Sequence, residues 1–399
     1  MSASQQRILT THVGSLIRPD DLLVFLHKQQ NGEPYDKAAY EECLKRSVED
    51  VVRKQAEVGI DIVSDGEYGK SISWSRYILD RISGFDERQD KTPGFRAAVA
   101  GKDRRDFAAF YEEYESAYGF VGMGKAFKTG TWVVTGPIKY TGQAAIRRDI
   151  EDIKKAIAGV QVANAFLPVV APASVVPQRK DEYYKSEEEA LFAIAEAMRE
   201  EYKAIVDAGL IAQIDDAFLA STYDVMVPPK TLLDYRKWAE VRVEALNHAL
   251  KGIPEARTRY HLCWGSWNGP HTNDVAMKDI VDLVLRVNVG GYSLEMANPR
   301  HEHEWRVWET VKLPEGKTLV PGLISHATNV VEHPELVAER IVRLAKLVGR
   351  DNVIASTDCG FAQGPFARRV HPSIMWAKLE SLAEGARIAS RALWGRKAA

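Results

Sequence analysis

One unit recurs along the chain and narrows what it can fold into: an amphipathic helix, a glycine, then a short apolar run ending in polar residues. "DVVRKQAEVG" leads to "IDIVSDGE", "EEYKAIVDAG" to "LIAQIDD", and "IVRLAKLVGRD" to "NVIASTDCG". A glycine suits the left-handed position that closes a helix. A run that is apolar throughout suits a strand covered on both faces, as in a parallel sheet. Further candidate strands are "HVGS", "WVVTGPI", "FLPVVAPASV", "YHLCWG", "GYSLEMA" and "LVPGLIS", with helix-length sequence in most gaps. This alternation predicts an α/β fold with a parallel sheet. Eight such units close a (β/α)8 TIM barrel, and 399 residues accommodate one with insertions. One strand is then surplus, and "HVGS", the shortest, is the one expected to lie outside. A doubly wound sheet is the alternative, but no GxGxxG follows any of the strands.

The stretch around residues 84–130 is too long for one helix and reads as an insertion between barrel units. It would serve as a lid or as an arm joining copies into a homo-oligomer. Ser186 and Glu189 in "SEEEALFAIAEAM" fit a capping box at a helix start. The whole chain, 1–399, reads as a single barrel domain.

Composition excludes several classes of function. Lys and Arg total 53 against 55 Asp and Glu, so no basic excess points to nucleic acid. No apolar run reaches the length of a membrane span, and "MSASQQRILTTHVGS" lacks the apolar core of a signal peptide. The expected location is cytoplasmic. Three cysteines, Cys43, Cys263 and Cys359, make a poor disulfide framework in a reducing compartment. Cys43 lies in a helical pattern and reads as a core thiol.

In a barrel, chemistry gathers where the strands end. Here those ends carry Ser15, Glu67, Asp215, His261, Cys263, Glu295, His326 and Cys359. Side chains two apart on a strand share a face, so the H-x-C of "YHLCWGSWNGPH" aims an imidazole and a thiol at one point. Cys359 in "STDCG" can add a second sulfur and Glu295 a carboxylate, a donor set suited to tetrahedral zinc. The competing reading is a buried cysteine acting as a small hydrophobe in a metal-free barrel. Trp264, Trp267 and Trp305 read as packing residues, and His301 and His303 as residues on a helix surface.

These motifs resemble a known family. "THVGS", "SDGEYGK", "AQIDD", "HLCWG", the glutamate of "SLEMANPR", "PGLISH" and "STDCG" follow the order found in the catalytic barrel of cobalamin-independent methionine synthases. The resemblance implies a Zn2+ ion held by His261, Cys263, Glu295 and Cys359. It implies a homocysteine pocket at Ser15, Glu67 and Asp215, and His326 as proton donor to the leaving group. The implied partners are a small-molecule thiol and an alkyl donor, and the implied reaction is methyl transfer to a thiolate. The tryptophan that packs on the pterin in that family has no aromatic counterpart beside Gln178. "HLCWGSWNGPH" and "PRHEHEWRVWE" are also similar to the single-barrel branch that includes epoxyalkane:coenzyme M transferase. That branch implies addition of a sulfonate-bearing thiol to an epoxide, with Lys139, Arg179, Lys180 and Arg300 as candidate sulfonate partners.

Overall fold

A computed structural model of the chain describes residues 6–88, 100–125, 131–175 and 180–395. Eight strands run parallel: β1 (Leu9–Thr10), β2 (Ile62–Ser64), β3 (Asn164–Val170), β4 (Ile211–Asp216), β5 (Thr258–Leu262), β6 (Gly291–Leu294), β7 (Thr318–Ile324) and β8 (Ile354–Thr357). Ladder bonds run from β2 through β3 to β8 and on to β1, so the sheet curls into a nearly closed barrel. The fold is the expected (β/α)8 TIM barrel.

Between β1 and β2 the hoop is fastened largely by side chains. Asp61 donates its backbone N–H to the Thr10 carbonyl at 3.1 Å and accepts the Thr10 N–H on Oδ2 at 2.9 Å. The Thr11 hydroxyl donates to the Ile62 carbonyl at 2.9 Å, and Arg7 grips the Asp61 carboxylate with two nitrogens.

The recurring unit folds as its composition dictates. Helices Lys37–Glu57, Glu187–Asp207 and Pro334–Val348 each run into a glycine at positive φ (Gly59, Gly209 and Gly349) before β2, β4 and β8. The Ser186 hydroxyl caps its helix by accepting from the Glu189 N–H at 3.1 Å. The reciprocal half of that box is redirected, since Glu189 accepts from the Lys185 N–H instead.

The surplus strand is not the expected one. Leu9 and Thr10 enter the barrel, and "HVGS" continues from them to the rim. "WVVTGPI" supplies the outsider: Thr131–Val134 pairs with Phe85–Arg88 and Lys180–Asp181 in a separate three-stranded sheet. Thr131 and Trp132 are only half-buried, consistent with a strand outside the barrel. The insertion also holds two short helices, Lys102–Asp106 and Ala108–Tyr118, which lie over the rim.

Inside the barrel, Leu9, Ile62, Phe166, Ile211, Val320 and Ile354 pack into one apolar layer. Above it lies Arg259, fully buried, its guanidinium 3.8 Å from the centre of the Phe166 ring. It donates to Gln213 Oε1 at 2.7 Å, Thr11 Oγ1 at 3.0 Å and the His12 carbonyl at 2.9 Å. Gln213 passes the order upward by donating to Asp215 Oδ1 at 2.7 Å. The lumen is therefore a braced floor for the groups above it.

Candidate metal centre

His261 is the last residue but one of β5, and Cys263 follows at the rim on the same face. β8 delivers Cys359 to the same spot. The His261 nitrogen and the two sulfurs lie within 4.8 Å of one another, and all three residues are buried. Cys263 Sγ stands 3.6 Å from Cys359 Sγ. That is too far for a disulfide bond of about 2.05 Å. It is close to the edge, about 3.8 Å, of a tetrahedron built on metal–sulfur bonds of about 2.3 Å.

His261 is oriented by Ser293, whose hydroxyl lies 3.2 Å from Nδ1. That leaves Nε2 buried, facing the sulfurs, with no hydrogen-bond partner among the described residues. An orphaned imidazole nitrogen beside paired thiols is a donor set that fits a thiophilic divalent metal. The thiols also polarise each other. The hydrogen bond with Cys359 pushes the Cys263 thiol up, and the same bond, aided by His261 and His326, holds Cys359 well below an ordinary thiol.

Glu295 follows β6 beside this cluster but is not one of the groups within that 4.8 Å. Its Oε1 accepts from the Trp264 N–H at 3.0 Å, and Oε2 accepts from Asn298 at 2.7 Å and Arg300 at 2.9 Å. Burial would raise this carboxyl, yet Arg300 and His301 outweigh it and hold it near 2. His326, fully buried after β7, has Nε2 3.2 Å from the Ser266 carbonyl. Burial keeps it below an ordinary histidine, and it does not line the cavity described next.

A cavity of about 90 Å³ opens onto the cluster. Ser15, Glu67, Asp215, His261, Cys263 and Cys359 line it, so these expected site residues share one chamber. Glu67 is paired with Lys70 at 3.1 Å, both buried. Burial, with Glu67 nearby, lifts the Asp215 carboxyl to about 7. The chamber wall thus carries two buried carboxyl groups, of which Glu67 already has a lysine partner.

The other walls were not anticipated as functional. Trp74 stacks on Phe218, ring centres 6.3 Å apart, and Trp267 joins them with Met123 and Val121 from the insertion. Trp267 therefore faces substrate space as well as packing, and its ring lies 4.3 Å from that of His271. The insertion is a roof, held on one side by Asp103 and on the other by Arg369, which donates to the Val121 carbonyl at 3.0 Å. Nothing in the local pattern around Asp103 or Arg369 announces contacts made across more than a hundred residues.

His301 is not on a helix surface. It is buried, with Nε2 3.1 Å from Asp274 and Nδ1 2.9 Å from Glu304. Of the candidate sulfonate partners, Arg300 is committed to Glu295, and Lys139 and Lys180 are exposed. Arg179 and Gln178 lie outside the described residues.

A TIM barrel carrying an imidazole and two thiols at its C-terminal rim has a donor set that could hold a metal ion. The chain belongs to the family of the cobalamin-independent synthase catalytic domain, which it matches over residues 172–372, and so to a family of enzymes. It is 25% identical to the 2-hydroxypropyl-CoM lyase of Xanthobacter autotrophicus, over 89% of this chain and 87% of that one. It is 23% identical to the methionine synthase of Thermococcus kodakarensis, over 96% and 94% respectively. In structure it matches a B12-independent methionine synthase from a Shewanella species with a TM-score of 0.69, at 20% identity, over 97% of this chain and 99% of that one. Among the described residues no helix is long and apolar enough to cross a membrane.

Proposed function

We propose that the protein is a zinc-dependent S-methyltransferase that alkylates the thiol of homocysteine or a close amino-thiol, with the whole chain working as one catalytic barrel. The observation that carries this reading is the shared chamber: His261, Cys263 and Cys359 line one cavity with the buried carboxyl groups of Glu67 and Asp215. The first three, with Glu295 alongside, would hold the metal. Bound there, zinc keeps a substrate thiol deprotonated at neutral pH, which is its nucleophilic form.

The chain's own residues do the rest. Asp215 and Glu67 grip the substrate ammonium, whose charge offsets the burial and the neighbouring carboxyl that lift Asp215. Ser15 lines the same cavity and offers a hydroxyl to the substrate carboxylate. Trp74, Phe218 and Trp267 exclude water from the path of the alkyl carbon. His326, behind Ser266, is the proton source for the departing group.

A second reading is addition of a sulfonate-bearing thiol to an epoxide, as the name of the Xanthobacter relative describes for that protein. Arg76 and Arg369 line the same chamber and favour an anionic substrate group. The two carboxylates weigh against it, because a sulfonate placed beside them is repelled. The close, unbonded sulfurs suit a reducing compartment, consistent with a cytoplasmic enzyme.

Elemental analysis tests the reading first. Wild-type protein should carry about one zinc per chain, lost in both Cys263→Ser and Cys359→Ser. Zinc-loaded enzyme should then bind homocysteine in preference to 2-mercaptoethanesulfonate. Protein without zinc, or zinc indifferent to both substitutions, would refute the thiolate mechanism.

A further inference from the structure

A row of buried and half-buried charges runs back from Cys263 through the two motifs richest in histidine and tryptophan. Glu295 meets Arg300 at 2.9 Å, Arg300 stands 3.8 Å from Asp274, Asp274 meets His301 at 3.1 Å, and His301 meets Glu304 at 2.9 Å. Both nitrogens of His301 face carboxylate oxygens, which only accept, so the ring is an imidazolium. The charges alternate in sign along the row. Its end nearest the metal cluster is the arginine–glutamate pair.

Arg300 does two things there with one nitrogen. Nη2 donates to Glu295 Oε2 at 2.9 Å and to the Gly265 carbonyl at 2.7 Å. Gly265 in turn gives its own N–H to Cys263 Sγ at 3.2 Å. It does so from φ +103°, where an added Cβ would fall 2.0 Å from the Trp267 ring. Asn298, which also holds Glu295, receives the Arg300 Nε–H at 3.2 Å. The guanidinium thus fixes the carboxylate on one side of Cys263 and the N–H donor on the other. A planar fork can hold these acceptors together; a lysine ammonium on a flexible stem has no such fixed geometry.

We infer that Arg300 is a positioning residue of the metal centre: it sets Glu295 and Gly265 around Cys263 and balances the negative charge that two thiolates bring. This rests on the metal reading above. Groups that orient the ligands of a metal typically change its affinity by about 10–100-fold when removed.

The test measures zinc affinity by chelator competition and the thiolate-to-cobalt absorption of the Co2+-loaded protein. The variants are Arg300→Met and Arg300→Lys, with Arg242→Met as control. Arg242, a buried guanidinium on the helix Leu232–Leu250, pairs with the exposed carboxylate of Glu187. Arg300→Met should bind zinc about 10–100-fold more weakly and shift the cobalt band, with Arg300→Lys in between. Arg242→Met should lower the melting temperature and leave both readings alone. If Arg300→Met does not accumulate as folded protein, Arg300→Lys alone decides, and wild-type affinity and spectrum there overturn the inference. Equal loss in Arg242→Met also overturns it, since the effect would be general stability. A wild type that holds no zinc removes the metal reading and this inference together.

Discussion

Asp103 should behave as the pin of the roof. Its Oδ1 accepts from the Thr272 N–H at 2.9 Å and the Thr272 hydroxyl at 2.8 Å. Its Oδ2 accepts from the Tyr111 hydroxyl at 2.8 Å and the His271 N–H at 3.1 Å. Tyr111 also accepts from the Trp267 indole at 3.1 Å, so the pin sets a wall of the chamber. In Asp103→Asn the amide oxygen keeps Thr272, and the NH2 can bond the Tyr111 oxygen, but the His271 N–H loses its acceptor. A buried donor left unpaired costs about 1–3 kcal/mol, which raises the opening equilibrium of the roof about 5- to 150-fold. Asp103→Ala strands the two buried donors, the Tyr111 hydroxyl and the His271 N–H, and costs about 2–6 kcal/mol on the same scale, the exposed Thr272 turning to water. Hydrogen exchange read by mass spectrometry should show faster exchange in peptides from 102–125 and 267–275, graded from Asn to Ala. The helix Pro334–Val348 should be unchanged. Unaltered roof protection, or equal acceleration everywhere, would refute the idea that one carboxylate seats the insertion.

Other expectations follow from the same coordinates. Asp215→Asn should raise KM for an amino-thiol about 10- to 150-fold with a smaller change in kcat, because a charge-assisted bond worth about 1.5–3 kcal/mol is lost; the same KM ratio for a thiol lacking the amine would count against the ammonium site. Arg81→Met should cost about 3–5 kcal/mol in urea unfolding by stranding the Glu201 carboxylate in the core and leaving Asp149 to Arg148 alone, with zinc content intact. His301 faces Asp274 and Glu304, with Glu295 and Arg300 beyond; burial alone would lower it, but the two carboxylate bonds lift it to about 9. Its folded value exceeds its unfolded value of about 6.5, so its stabilisation is complete below pH ~6.5 and lost as pH rises through ~9. The stability gap between wild type and His301→Gln should therefore shrink by about 3 kcal/mol between pH 6 and pH 10, and a gap independent of pH would contradict the imidazolium.

Much of the barrel is legible in the sequence because parallel strands buried on both faces must be apolar throughout, and their polar ends mark the rim. His261 and Cys263 could be placed on one face from strand parity alone. Ser15, Glu67 and Asp215 could be placed at one rim because each ends a strand. What stayed hidden depends on long-range pairing. Thr131–Val134 is as apolar as a barrel strand, and only its polar partners, Phe85–Arg88 and Lys180–Asp181, reveal that it lies outside. Arg300 reads as a surface cation until Glu295 and Gly265 are seen around it. His301 reads as exposed until Asp274 and Glu304 close on it. The roles of Trp267 and Asp103 follow from the docked insertion, which no periodicity encodes.

A hoop gives first where its fastening is weakest, and here that is the clasp at Asp61. Ser15 lies past β1 and Glu67 past β2, one on each side of the clasp, whereas Cys263 and Cys359 follow strands linked by backbone ladder bonds from β5 to β8, with one register shift between β7 and β8. Breathing of the barrel is therefore concentrated between Ser15 and Glu67, and the sulfur pair is carried on the better-fastened side of the hoop. If the proposed function holds, rising temperature should loosen the grip on an amino-thiol before it loosens the grip on zinc.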